Sequence, residues 1–223
     1  MSAVIDLTKK ELTKSEVLYG VSWEMYESLV EKYWNMPTPR LTYDSGILEI
    51  EMSNSSQHEI ENRTLARLAE HILLELEIDF LNCGSTTFSK ESSRKGFEPD
   101  SSFYIESLDL IEGKTDLDFE NDPPPDLIIE INRTSSSLPR MPIFAAFGVR
   151  EIWRCNEDEV RFYELVDGVY LETENSICLP ILKNEDATNF LLESRKLKST
   201  AWIKKMRDWT SEKVKSKKWK IRE

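Results

Sequence analysis

Cysteine is scarce in this chain: Cys83, Cys155 and Cys178 are odd in number, far apart and without a CxxC pair. That spacing excludes a disulfide framework or a zinc knuckle and fits reduced thiols in the cytoplasm. Long apolar runs are missing too. No window approaches about 18 uninterrupted apolar residues, so no membrane span is expected, and the first ten residues carry too short an apolar run for a secretory signal. There is no internal repeat, and no low-complexity segment apart from the lysine-rich end. Positive charge is also in deficit, the net charge being −12. Taken alone, that argues against a nucleic-acid binder.

The deficit is uneven. Residues 195–223 hold 12 Lys/Arg against 3 Asp/Glu (+9), leaving 17 against 38 (−21) for the other 194 residues. An acidic body with a basic tail is the expectation, the tail being either a solvated helix face or a contact surface. The length of 223 residues suits one full core with appended elements.

Hydrophobic periodicity predicts the order helix, hairpin, helix, strands, helix, strand, hairpin, helix. Residues 21–34 space Tyr26, Leu29, Val30 and Tyr33 as a helix does, and Pro37 and Pro39 end it. Residues 40–52 alternate as a hairpin around Asp44-Ser45-Gly46, and a Ser/Asn cluster at 53–56 leads into a half-buried helix over 58–76. Strands are predicted over 80–88 and 102–105, flanking a polar loop at 89–96. Residues 106–122 form an acidic loop, and 126–131 the strongest strand. A short helix over 138–147, capped by Ser136 or Ser137, stops at Gly148. A strand at 151–154 and a hairpin across Asp167-Gly168 follow, and from about residue 187 the chain is helical. The reading is an α/β fold, a mixed sheet flanked by helices. It divides into an N-terminal helical segment (1–39), a core (40–182) and a basic helical tail (183–223).

Candidate chemistry rests on carboxylates. In Asp126-Leu-Ile-Ile-Glu130-Ile-Asn132, side chains alternate, so Leu127, Ile129 and Ile131 line an apolar face and Glu130 lies on the other. A glutamate inside so apolar a strand needs a partner, which is either a structural ion pair or a metal. Asp100, directly after Pro99, sits at the mouth of another strand. Two carboxylates at neighbouring strand ends suit a hard divalent cation such as Mg²⁺, which keeps several waters and takes few protein ligands.

Pro99-Asp100 followed by Glu130 resembles the PD-(D/E)XK nuclease signature. Gly84-Ser85-Thr86-Thr87, Gly96-Phe97-Glu98-Pro99-Asp100, Leu127-Ile128-Ile129-Glu130-Ile131, Ser135-Ser136-Ser137-Leu138 and Gly148-Val149-Arg150-Glu151-Ile152-Trp153 together resemble the Uma-two family of restriction endonucleases, over roughly residues 18–182. The resemblance implies a restriction-endonuclease-like core and hydrolysis of phosphodiester bonds, with DNA as the expected partner. It also implies Mg²⁺ or Mn²⁺ held by Asp100, Glu130 and the backbone carbonyl of Ile131. Glu59 is the nearest match to an assisting helix glutamate. His58 beside it is either a site residue or a helix-start residue making a local bond. A homodimer would suit an enzyme that cuts both strands.

The chain departs from the signature at Asn132, where a lysine is expected; Arg140 on the next helix is the nearest positive charge. Arginine can grip a phosphate but cannot act as a general base. It would equally account for a buried glutamate by pairing with Asp126 or Glu130. Three functions remain open: a metal-dependent endonuclease, contacting DNA through Lys90, Arg94, Lys95 and the tail; a catalytically degenerate binder of nucleic acid or protein; and a scaffold anchored by Trp202, Trp209 and Trp219.

Overall fold

The computed structural model describes residues 15–34, 36, 38–52, 55–132 and 138–216. The expected caps Ser136 and Ser137, part of the 53–56 cluster, Pro37 and Trp219 lie outside them.

Two sheets share the strands. One is five-stranded and antiparallel, in the order β1 (Ser15–Tyr19), β3 (Ile47–Glu51), β2 (Arg40–Asp44), β6 (Lys95–Phe97), β5 (Phe88–Lys90). The other is six-stranded and mixed: β11 (Val169–Thr173), β10 (Glu159–Val166), β9 (Glu151–Asn156), β8 (Leu127–Asn132), β7 (Ser101–Tyr104), β4 (Leu81–Asn82). Only β8 and β9 run parallel, joined by a crossover through α4 (Met141–Phe147).

The expected mixed sheet is therefore present, with a second sheet beside it. Strand β1 was not foreseen; it edges the antiparallel sheet in register with β3, so the N-terminal segment is more than a helix. The expected polar loop at 89–96 is instead the hairpin β5–β6 across a single 3-10 turn. The long strand expected over 80–88 is replaced by the two-residue β4 and an irregular stretch, and the loop expected over 106–122 carries the short helix α3 (Leu108–Ile111).

Helix caps follow local chemistry. Ser22 opens α1 (Trp23–Tyr33) and Ser55 opens α2 (Ser56–Glu75); each hydroxyl accepts from the backbone N–H three residues on, at 3.2 Å. Gly148 closes α4 in the left-handed conformation, φ +83°.

Three apolar clusters hold the layers together. Leu127, Ile129 and Ile131 of β8 face Leu65, Leu68 and Ile72 of α2, together with Phe190 of α5 (Asn184–Ser194) and Trp202 and Met206 of α6 (Ser199–Ser216). Ile128 and Ile152, on the opposite face, pack on Phe144 and Phe147 of α4 and on Phe97. In the antiparallel sheet, Leu41, Tyr43, Leu48 and Ile50 pack under Trp23, Tyr26 and Leu29 of α1. Trp202 is buried and its indole N–H donates to the Phe190 carbonyl at 2.8 Å, so it is a core residue and not an anchor for a partner. Among the described residues, no helix is long and apolar enough to cross a membrane.

Candidate metal and nuclease centre

The face of the antiparallel sheet turned away from α1 carries polar side chains. Arg40 pairs in register with Glu51, and Thr42 with Glu49. Although they alternate like solvent-facing residues, Glu49 is fully buried and Glu51 largely so. They are buried because this face lies against the polar end of the mixed sheet.

There β7 and β8 pair Ser101 with Ile129, and one step further along the register Asp100 comes opposite Glu130. Opposed residues share a face of the sheet, so the two carboxyls project to the same side, as the sequence pattern requires. Both are buried. The Ile131 N–H donates to Asp100 Oδ2 at 2.7 Å. In a strand the N–H and C=O of one residue point to the same edge, which turns the Ile131 carbonyl toward Asp100 as well.

The remaining contacts define the electrostatics. His58 Nε2 lies 3.2 Å from Asp100 Oδ2, and Arg40 pairs with Asp100 Oδ1. Asn62 of α2 donates to the Asp100 carbonyl at 2.9 Å and accepts from the Ser101 hydroxyl at 2.8 Å, which fixes the strand mouth. Burial alone would raise Asp100, but His58 and Arg40 outweigh it and hold its carboxyl below the ordinary range. Burial lowers His58, yet the bond and charge of Asp100 leave its pKa raised overall. Glu130 behaves oppositely: burial pushes it up against the pull of Arg140, and the nearby Asp100 charge adds to the rise. Two carboxyls in one site are thus driven apart in proton affinity.

Arg140, at the start of α4, sits 3.2 Å from Glu130, 3.7 Å from Glu49 and in contact with Glu51. Of the two pairings expected for it, Glu130 is the one found. Asp126 instead accepts from the Ile105 and Ser107 backbone N–H groups and the Ser107 hydroxyl, and ties the start of β8 to the end of β7. Glu59 is half-exposed at the mouth, 4.0 Å from Arg40. The members missed from sequence are Arg40, Asn62, the hairpin acids Glu49 and Glu51, and Glu98, whose carboxyl burial pushes up to about 7. Glu151, inside one of the quoted motifs, is structural. It accepts from the Trp153 indole N–H and from the Ile177 and Cys178 backbone N–H groups.

Of the basic residues expected to meet DNA, two have neighbours within the fold. Lys95 pairs with Asp44, and Arg94 lies 5.9 Å from the Trp23 ring centroid.

Among the described residues no group of three or more His, Cys, Asp or Glu side chains is arranged to hold a metal ion. A hard cation needs fewer, since oxygen ligands from one or two carboxylates suffice alongside water. Glu130 Oε1 is buried without a hydrogen-bond partner among the described residues. Asp100 Oδ1 keeps a lone pair beyond its Arg40 contact. Five buried or largely buried acids (Glu49, Glu51, Glu98, Asp100, Glu130) gather here around Arg40, Arg140 and His58. An all-oxygen donor set of this kind fits Mg²⁺ or Mn²⁺.

The fold is thus a mixed sheet flanked by helices, with Asp100 and Glu130 at the adjoining ends of β7 and β8. The family model described as "Uma2: Putative restriction endonuclease" matches residues 23–192, and the chain belongs to that family. A crystal structure described as "a putative nuclease belonging to DUF820" from Anabaena variabilis ATCC 29413 aligns at 14% identity and a TM-score of 0.48, over 73% of this chain and 98% of its own. No curated protein matches the chain.

Proposed function

We infer that this protein is a metal-dependent nuclease that hydrolyses phosphodiester bonds in DNA. The observation that carries the reading is the convergence of Asp100 and Glu130 on one face, with an unpartnered carboxylate oxygen on Glu130. Asp100, Glu130 and the Ile131 carbonyl would hold Mg²⁺ or Mn²⁺. Such an ion supplies an activated water and offsets charge developing on the phosphodiester. His58 and the Ile131 N–H orient Asp100, and Asn62 fixes the peptide that carries it. Glu59 stands at the entrance, where it can meet a substrate proton or a bound water. The test is cleavage of plasmid DNA with Mg²⁺ or Mn²⁺ by the wild type and by Asp100→Ala. Equal cutting by both would remove the reading.

One observation favours a second reading, a degenerate nuclease fold that binds without cutting. Arg140 stands where the family resemblance expects a lysine, and its guanidinium is spent on three glutamates instead of facing a substrate phosphate. Arg140→Lys discriminates: cleavage that appears only in the lysine variant makes the natural protein a binder.

A further inference from the structure

A groove of about 280 Å³ leads away from the acid site. One wall is α2, from Glu59 to Glu70; the other is the end of β4 and the turn after it, Asn82 to Ser85, with Asp100 and Arg40 at the inner end. Within it Arg63 and Arg67 are exposed, four residues apart on one helix face. Neither has a carboxylate within 4.0 Å among the described residues. Nearby arginines are committed: Arg195 to Glu61 and Asp158, and Arg207 to Glu75. The acids of the groove are largely spoken for as well. Glu70 accepts from Asn82 at 2.7 Å, Asp100 is paired with Arg40, and Glu59 faces Arg40 and His58.

We propose that Arg63 and Arg67 bind successive phosphates of one DNA strand, and that this groove delivers the strand to Asp100. Two guanidiniums one helical turn apart lie about 6 Å from each other along the axis, a spacing that suits neighbouring phosphates of an extended backbone. A planar, always charged fork grips phosphate oxygens with two hydrogen bonds. In a chain of net charge −12, exposed arginines with no carboxylate at hand can draw in a polyanion. The opposite wall is compatible with close approach. Gly84 is open, with nothing within 4 Å of where a Cβ would stand, and Ser85 is exposed at the lip. The inference rests on the nuclease reading for what lies at the inner end; the binding itself does not require that cutting occurs.

The experiment is fluorescence anisotropy with labelled single-stranded and duplex DNA oligonucleotides across a salt series. Ca²⁺ is present as a non-catalytic ion, and the proteins are the wild type, Arg63→Gln/Arg67→Gln and Arg63→Lys/Arg67→Lys. Losing two phosphate contacts should lower the slope of log affinity against log salt by about 1.8 for duplex and about 1.4 for single strands. The double lysine variant should recover that slope, and both variants should melt with the wild type because the side chains are exposed. Lys204→Gln, on the exposed side of α6, should leave the slope unchanged. An unchanged slope in the glutamine variant, no binding by the wild type, or a loss seen only with Lys204→Gln would overturn the proposal. Wild-type protein that binds through Arg63 and Arg67 yet cuts nothing keeps this inference and removes the nuclease reading. Cutting with no dependence on the two arginines does the reverse.

Discussion

Replacing Arg40 with methionine tests the electrostatics of the acid site most directly. Arg40 is largely buried, pairs with Asp100 and lies 4.0 Å from Glu59. Methionine keeps the apolar stem and deletes the charge. Removing one partner of a buried ion pair costs about 3–5 kcal/mol, because the other charge is left uncompensated. Asp100 retains the Ile131 N–H and His58, which places the expected loss near about 3 kcal/mol in metal-free buffer. For a chain of this size that corresponds to a melting temperature lower by about 6–12 °C. The same deletion leaves the site more negative, so Mn²⁺ should bind the variant more tightly than the wild type. At 100 times its dissociation constant, a ligand returns about 2.7 kcal/mol, nearly the whole loss. Thermal melts of both proteins, with chelator and across a Mn²⁺ series, give both numbers. A variant that melts with the wild type in chelator would show that Arg40 does not compensate Asp100. A variant that Mn²⁺ stabilises no more than it does the wild type would show that the acids are not a cation site.

Two further outcomes bear on the scaffold. A Cβ on Gly96 would stand 2.0 Å from the hydroxyl of Tyr26, a ring stacked at 4.8 Å on Tyr43, so Gly96→Ala should destabilise by about 1–3 kcal/mol. Urea unfolding at the same stability as wild type would contradict that packing. Burial raises the Glu151 carboxyl above its ordinary value of 4.5, so the folded state holds its proton more tightly than the unfolded chain does. Stability from this group is therefore present at and below the ordinary value and is lost as pH rises toward the raised one. Glu151→Gln removes that titration, so the wild type should lose ground to the variant as pH rises through that window. Parallel urea midpoints across it would refute the assignment.

The sequence carried the site's two acids because the signal there is local. Glu130 interrupts an apolar strand and Asp100 follows a proline, and both patterns survive without knowledge of the neighbours. The flanking hairpin misled for an equally physical reason. Glu49 and Glu51 alternate with Leu48 and Ile50, which is how a half-solvated strand is written, and only the approach of the second sheet buries them. Arg40 went unnoticed because nothing near it in the chain announces that Asp100, sixty residues on, will be its partner. Strand β1 fell below notice because five residues at a sheet edge carry little periodicity. The tail read as basic and helical, and its described residues form α5 and α6; its tryptophan at 202 turned inward because α5 offers the Phe190 ring and carbonyl to it.

Helix α2 lies between the tail and the acid site. On one side it shares an apolar cluster with Trp202 and Met206 of α6, and Arg195 ties to its Glu61. On the other side, the next residue, Asn62, steadies the peptide of Asp100. The family match ends at residue 192, before either of those tail anchors. A chain trimmed to that limit would lose the brace behind α2, and slackness there would reach the aspartate through Asn62 and His58, so residues 195–216 belong to the mechanical frame of the acid pair.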